Sequence, residues 1–308
     1  MPTNHDSPSS LGGVLCVFQT PYHADESIDY KTLAREIAWL FDRGADGIVM
    51  AMVSEVLRLA SHERIELAKR ACELVSKLGP VVISVGAESS HTAEYYARQA
   101  ESVGAAAVMA IPPISVAFGD AELQQYFRRI LNAVSIPLII QDASGYVGRP
   151  MSIALQASLL DEFGPRVYFK PEAQPIGPRL SELHAATGNR AKVFEGTGGI
   201  ALVDSFQRGI VGTMPGADLV DGIVALWRAL TRSDAAAARR IWLPLAALVS
   251  LQHSLDAFLA VEKYLLVKQG IFKNALVRGP VGYTLDNTTR AEVDRLFELL
   301  MAAVAGST

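Results

Sequence analysis

The sequence predicts a single-domain (β/α)8 barrel, an α/β fold of the TIM-barrel class, with a helical C-terminal extension. Three observations predict it. Short apolar runs rich in β-branched residues alternate with longer stretches of helical period; eight such runs are present; and the segment after the first, QTPYHADES, lacks a glycine fingerprint. The alternation argues for parallel strands joined by crossover helices. A count of eight closes a barrel more naturally than it extends an open sheet. The missing glycines weaken the doubly wound alternative. The chain has 308 residues, and barrels of roughly 250 residues form one core.

The expected strands run Val14 to Gln19, Gly47 to Met52, Val81 to Val85, Ala106 to Ile111, Leu138 to Gln141, Val167 to Lys170, Val193 to Glu195 and Ile210 to Met214. Between them, TLAREIAWLFDRG, ERIELAKRACELVSKLG, TAEYYARQAESVG and LQQYFRRILNAV are amphipathic at helical spacing, with Gly44, Gly79 and Gly104 at the expected stops. After the eighth unit, DAAAARRIWLPLAALVSLQHSLDAFLAVEKYLLVKQG and TTRAEVDRLFELLMAAVAG exceed what a barrel needs. They are expected to pack on the outer ring, with an apolar excess that suits a subunit interface. The expected organisation is a flexible N-terminal segment at 1–10, the barrel at 11–232 and the helical extension at 233–308.

Half of the residues are hydrophobic, 19% are charged and the net charge is −4. That balance carries no electrostatic footprint for nucleic acid. Cys16 and Cys72 lie in apolar stretches without a second thiol or metal-ligand spacing, and the six histidines form no ligand cluster. Two reduced thiols and no metal or other cofactor are expected. The first ten residues are polar, without the apolar stretch of a secretory signal, and no segment reaches the roughly 18 uninterrupted apolar residues of a membrane span. The expectation is a cytoplasmic protein with no membrane partner.

Barrel chemistry sits at the C-terminal ends of the strands, so position on the strand sorts the candidates. Lys170 closes VYFK and points to that face, whereas Lys192 opens AKVFE on the opposite, stabilising face. There are only eight lysines, none between Lys77 and Lys170, and Val167, Tyr168 and Phe169 form an apolar wall before this one. Desolvation disfavours an ammonium, brings such a lysine to a pKa of roughly 7–8 and leaves a nucleophilic amine that condenses with ketones. The bland alternative is a solvated strand-end lysine. Other strand ends supply polar groups: Gln19 and Thr20, Ser54 and Glu55, Gln141 and Asp142, Glu172, and Gly196 with Thr197. Taken singly, Glu55, Asp142 and Glu172 read equally as cap or loop carboxylates. Glu172 stands out because residues two apart on a strand share a face, which sets its carboxylate near the amine. EGTGGI reads as a phosphate-cradling loop or, in preference, as a tight turn needing positive φ.

With those residues in place, the chain resembles the dihydrodipicolinate synthase and N-acetylneuraminate lyase family of class I aldolases over nearly its whole length. The resemblance runs in order through TPYHADESIDYKTL, GADGIVMAMVSEVLRLASHER, PVVISVGAESSHTAEYYARQAESVGAAAVMAIPP and FKPE. It implies a barrel with a helical extension, commonly assembled as a homotetramer of dimers. It also implies a Schiff base on Lys170, carboxylate binding by Ser54 with backbone from Val53, and pocket lining by Gly196 and Thr213. Thr20, at the end of the first strand, is a further expected substrate contact.

The departures are equally specific. The family's Y-N-x-P segment reads QDAS here, which puts Gln141 in place of the proton-relaying tyrosine. Its GTTGE reads AMVSE, and its P-Y-Y reads Pro113 and Ile114. A Tyr-Thr-Tyr relay cannot operate, which counts against lysine-biosynthetic condensation and sialic acid cleavage but not against imine formation. The expectation is therefore a lyase, an aldolase or dehydratase, that binds pyruvate or a longer 2-keto acid on Lys170. Glu172 serves as general acid/base, Gln141 orients substrate or water, and the protein is a dimer or tetramer. Two alternatives from other classes remain: a catalytically silent barrel that binds a keto acid or sugar acid, and an isomerase-like barrel that grips phosphate through EGTGG.

Overall fold

The computed structural model describes residues 11–145 and 147–306, so the segment expected to be flexible, 1–10, lies outside the described residues. Eight strands follow in the expected order: β1 (Gly13–Val17), β2 (Gly47–Met50), β3 (Val81–Ser84), β4 (Ala107–Ala110), β5 (Leu138–Asp142), β6 (Val167–Pro171), β7 (Phe194–Glu195) and β8 (Gly212–Thr213). They pair in parallel in the order β6-β5-β4-β3-β2-β1-β8-β7. The seam between β6 and β7 is held by a bridge between Phe169 and Val193, where the Phe169 N–H donates to the Lys192 carbonyl at 2.9 Å. The barrel is thereby closed. Several strands are shorter than expected at their C-terminal ends, because residues such as Gln19, Ala51 and Met52 leave the ladder to build the mouth.

Crossover helices surround it: α1 (Tyr30–Asp42), α2 (Ser61–Val75), α3 (Ser90–Ser102), α4 (Asp120–Ala133), α5 (Ile153–Phe163), α6 (Ile176–Ala186), α7 (Leu202–Gln207) and α8 (Val220–Thr231). Side-chain caps set several starts. Asp29 accepts from the Thr32 N–H at 3.0 Å, Ser89 from Thr92 at 3.2 Å and Ser152 from Leu155 at 3.0 Å, each satisfying a donor that the helix leaves open. Gly44 and Gly104 stop their helices in the left-handed region, as expected. Gly79 does not: α2 has already ended at Val75, and Ser76 takes the positive φ.

Strand alternation divides the core into two layers. Cys16, Ile48, Ile83, Val108, Ile140 and Phe169 face outward onto the helices. Leu15, Val17, Val49, Ala51, Val82, Met109, Ile139, Tyr168, Phe194 and Met214 fill the barrel interior. Interior packing of this kind makes a floor rather than a pore.

The C-terminal part forms α9 (Ala235–Val249), α10 (Leu255–Lys268) and α11 (Asn287–Ala305). α9 and α11 pack with α8 on the outer ring. α10 corrects the expectation. The stretch read as one continuous helical segment breaks after Val249, Ser254 caps a new helix at the Ala257 N–H, and α10 passes over the barrel mouth. The buried ammonium of Lys263 holds it there, paired with Glu55 from the loop after β2. Among the described residues, no helix is long and apolar enough to cross a membrane.

Candidate active site

Inward parity on β6 gathers the first members of the site. Tyr168 points into the barrel floor, so Lys170, two residues on, rises on the same face at the strand's end, and Glu172 continues that line. The same rule on β5 sets Gln141 above Ile139, in register beside Lys170. These side chains line a cavity with Val53, Gly196, Met214 and residues of α10. Lys192, at the other end of β7, packs beneath the floor with its Nζ 3.3 Å from the Tyr168 hydroxyl.

Lys170 Nζ donates to Glu172 Oε1 at 3.0 Å, and Gln141 Nε2 donates to Glu172 Oε2 at 2.6 Å. Lys170 is 4% exposed and Glu172 3%. Burial pushes the Glu172 carboxyl above the usual carboxylate range, Lys170 and Gln141 pull it back, and the charge of Glu195 adds to the rise. A carboxyl so poised takes and returns a proton more readily than a solvated one. Gly196 makes the arrangement possible: a Cβ there would stand 2.8 Å from both Cε and Nζ of Lys170 and 3.0 Å from the Glu172 carboxyl carbon. The backbone of the loop after β7 thus closes directly over the amine.

Not every expected residue joins them. The loop after β2 folds as one tight turn, Met52–Ser54, and the Ser54 hydroxyl is spent inside it, donating to the Phe18 carbonyl at 2.5 Å and accepting from the Ala51 N–H at 3.0 Å. Fully buried, it holds the turn; Ala51, Met52 and Val53 form that wall. Thr20 is likewise buried and donates to the Ser54 carbonyl at 2.5 Å. Thr213 donates to Glu195 Oε2 at 2.6 Å, and its neighbour Met214 faces the cavity instead. Asp142 organises the next loop, accepting from the Met151 N–H at 3.0 Å. In EGTGGI, Gly198 and Gly199 take φ of 69° and 103°, and the Thr197 N–H is occupied by Glu195 Oε1 at 2.6 Å. That is the tight-turn geometry.

Sequence reasoning missed the ceiling. Leu255, Phe258 and Glu262 project from α10 into the cavity. Glu262 accepts from Gln19 Nε2 and sits over Gly216, where a Cβ would collide with its Oε1 at 1.7 Å. Lys263, fully buried, spends its ammonium on Glu55, on the Thr20 carbonyl at 2.8 Å and on the Leu276 carbonyl at 2.7 Å. The available signal was an acid and a base side by side in the apolar stretch LDAFLAVEKYLLV, which no exposed helix face requires.

Comparison with known proteins adds an independent line. A sequence profile of the Dihydrodipicolinate synthetase family matches residues 10–299. L-2-keto-3-deoxyarabonate dehydratase of Azospirillum brasilense is 28% identical over 290 residues, which cover 91% of this chain and 92% of that protein. 4-Hydroxy-tetrahydrodipicolinate synthase of Bartonella quintana is 27% identical, covering 92% of this chain and 96% of that one. The crystal structure of dihydrodipicolinate synthase from Rhodopseudomonas palustris superposes with a TM-score of 0.86 at 25% identity, covering 96% of this chain and 99% of that chain.

Proposed function

The chain belongs to the dihydrodipicolinate synthetase family, and from that premise we propose that it is a Schiff-base-forming lyase for a 2-keto acid, with the imine on Lys170. One observation carries the reading: a buried lysine amine at the end of β6, inside a cavity, in contact with a single carboxyl whose proton affinity is raised.

The chemistry follows from that contact. A proton passes from the ammonium to Glu172, and the free amine attacks the ketone carbon of the substrate. Glu172 returns that proton to the departing hydroxyl, and loss of water gives a protonated imine, which withdraws electrons from the adjacent carbon. Glu172 then removes a proton from that carbon, giving an enamine. When the enamine electrons return, the hydroxyl on the next carbon leaves, taking the same proton as water. The sum is a dehydration with no change in electron count, and hydrolysis of the imine restores Lys170. Gln141 fixes the Glu172 carboxyl throughout. With the Ser54 hydroxyl committed elsewhere, binding of the substrate carboxylate falls to the backbone at Val53.

Dehydration is favoured over condensation or aldol cleavage. A tyrosine relay is absent, one glutamate serves both proton transfers, and the chain resembles a 2-keto-3-deoxy acid dehydratase over nine-tenths of its length. A homo-oligomer is proposed as well, supported by the exposed Leu243 and Leu299 on α9 and α11. Incubation with 2-keto acids and sodium borohydride, followed by peptide mapping, tests the central claim. A reduced adduct on Lys170 supports it, and tight binding without an adduct supports the silent barrel instead.

A further inference from the structure

Glu195 closes β7 one residue before Gly196, yet its side chain does not line the cavity. Phe194 fills the barrel interior, so strand parity turns Glu195 outward, to the side on which the other strands present residues such as Ile48, Ile140 and Phe169. It is 3% exposed. Among the described residues, its carboxyl is held by neutral donors alone. Oε1 accepts from the Thr197 N–H at 2.6 Å and from the Thr197 hydroxyl, and Oε2 accepts from the Thr213 hydroxyl at 2.6 Å. Thr197 Oγ1 in turn accepts from the Ala201 N–H at 3.0 Å, just ahead of α7, and the Glu195 carbonyl accepts from the Met214 N–H at 2.8 Å. One residue thus ties the end of β7 both to the loop that follows it and to the end of β8.

Two features separate this from ordinary packing. β7 and β8 are two residues long, where the other six strands have four or five, so the ladder gives little hold on the loop beyond them. A buried carboxylate also costs free energy that an apolar residue in the same outward place would avoid. What it gains is geometry. Gly196 lies between two residues bound by the same carboxyl, and Gly196 is the position where a Cβ would stand 2.8 Å from Lys170 Nζ. A loop that close to the amine sets where the nitrogen can be, and rates respond steeply to such placement.

We propose that Glu195 is a positioning residue for the imine chemistry: its carboxyl clamps the loop after β7 so that Gly196 holds the Lys170 amine where it meets the ketone. Standing outside the cavity wall, it acts through Gly196. This inference rests on the lyase reading above and adds a residue to it.

The test follows imine formation on Lys170 in the intact protein by rapid borohydride quenching, with pyruvate and with 2-keto-3-deoxyarabonate at rising concentration. Glu195→Leu fills the same outward place but accepts no hydrogen bond. Its rate constant at saturation is expected to fall about 10²-fold, the effect of a displacement of about 1 Å. Its half-saturating concentration is expected to change by less than about threefold, because the substrate-binding wall is intact. Glu195→Gln keeps an acceptor for Thr197 and offers its amide to the Thr213 hydroxyl, so it is expected to recover most of the loss. Thr213→Val, which removes one donor at constant shape, is expected to lower the rate constant about fivefold and decides the matter if Glu195→Leu does not fold. A lower melting temperature with an unchanged rate constant in Glu195→Leu or Thr213→Val marks a purely structural carboxyl and overturns the proposal. A Glu195→Gln protein as slow as Glu195→Leu overturns the clamp as well. No adduct with either acid in the wild-type protein overturns the lyase reading, and the positioning role with it.

Discussion

The Lys170 amine and the Glu172 carboxyl meet at 3.0 Å because they stand two residues apart at the end of one buried strand, and Gln141 on the adjacent strand fixes the far oxygen of that carboxyl at 2.6 Å. The pair is buried, and among the described residues that carboxyl is the one group seen to accept from the nitrogen.

Glu172→Gln should therefore separate binding from turnover. The amide still contacts Lys170 but cannot carry a proton, so kcat is expected to fall by about 10²–10⁴-fold, the usual contribution of a positioned acid/base. Borohydride trapping on Lys170 should persist, though more slowly, because the amine then loses its proton to solvent rather than to Glu172. Steady-state kinetics on a 2-keto-3-deoxy acid with parallel mass mapping reads both, and full turnover in the variant would remove Glu172 from the mechanism.

Gly196→Ala places a methyl group 2.8 Å from the reacting nitrogen. The fold has no reason to change, since the clashes are with two side chains, Lys170 and Glu172, and not with backbone, but the amine must move. A displacement of about 1 Å costs on the order of 10²-fold in rate. Single-turnover trapping together with an unaltered circular dichroism spectrum checks it.

Lys263 and Glu55 are both buried, at 0% and 2% exposure. Lys263→Met leaves the Glu55 carboxylate without its cation, and breaking such a pair costs about 3–5 kcal/mol. Removing both charges, in Lys263→Met with Glu55→Gln, is expected to recover a large part of that loss. Urea titration of the two variants measures the difference.

Glu36 and Asp218 make stability depend on pH. Burial pushes Glu36 up to about 8, against the pull of the Gln19 N–H and of Lys263, and pushes Asp218 up to about 7. The folded chain keeps protons that the unfolded chain releases above the normal carboxylate range. Their stabilising contribution is full below about pH 4, declines as the pH rises and is lost above about pH 8. Glu63, held down to about 2 by Arg278, has the opposite sign, but its contribution is lost only as the pH falls toward 2. Melting temperature is thus expected to fall between pH 5 and 9, and Glu36→Gln should flatten the slope. A steeper slope in that variant would contradict the assignment.

Whatever strand periodicity governs was legible in the sequence. Eight apolar runs marked the barrel, and the two-residue spacing of Lys170 and Glu172 marked the pair, because parity and strand ends are local properties. Val53 and Gly196 also stand in the cavity wall. Ser54, Thr20 and Thr213 do not line the cavity, for one reason: a hydroxyl near a strand end bonds whichever acceptor the loop brings closest, and here each found a backbone carbonyl or Glu195. Glu262 escaped because it follows Lys170 by more than ninety residues, and nothing local to α10 says that it turns across the mouth rather than along the outer ring.

The ceiling is contributed by α10, and the Leu276 carbonyl completes the hold on Lys263. During synthesis all eight strands emerge before that ceiling exists. At translation rates of about 5–20 residues per second, a nascent barrel spends on the order of several seconds with its mouth open to water. A chain stalled within the extension therefore lacks the wall that Leu255, Phe258 and Glu262 give the cavity, and its β6 lysine and carboxyl stand at an open barrel end.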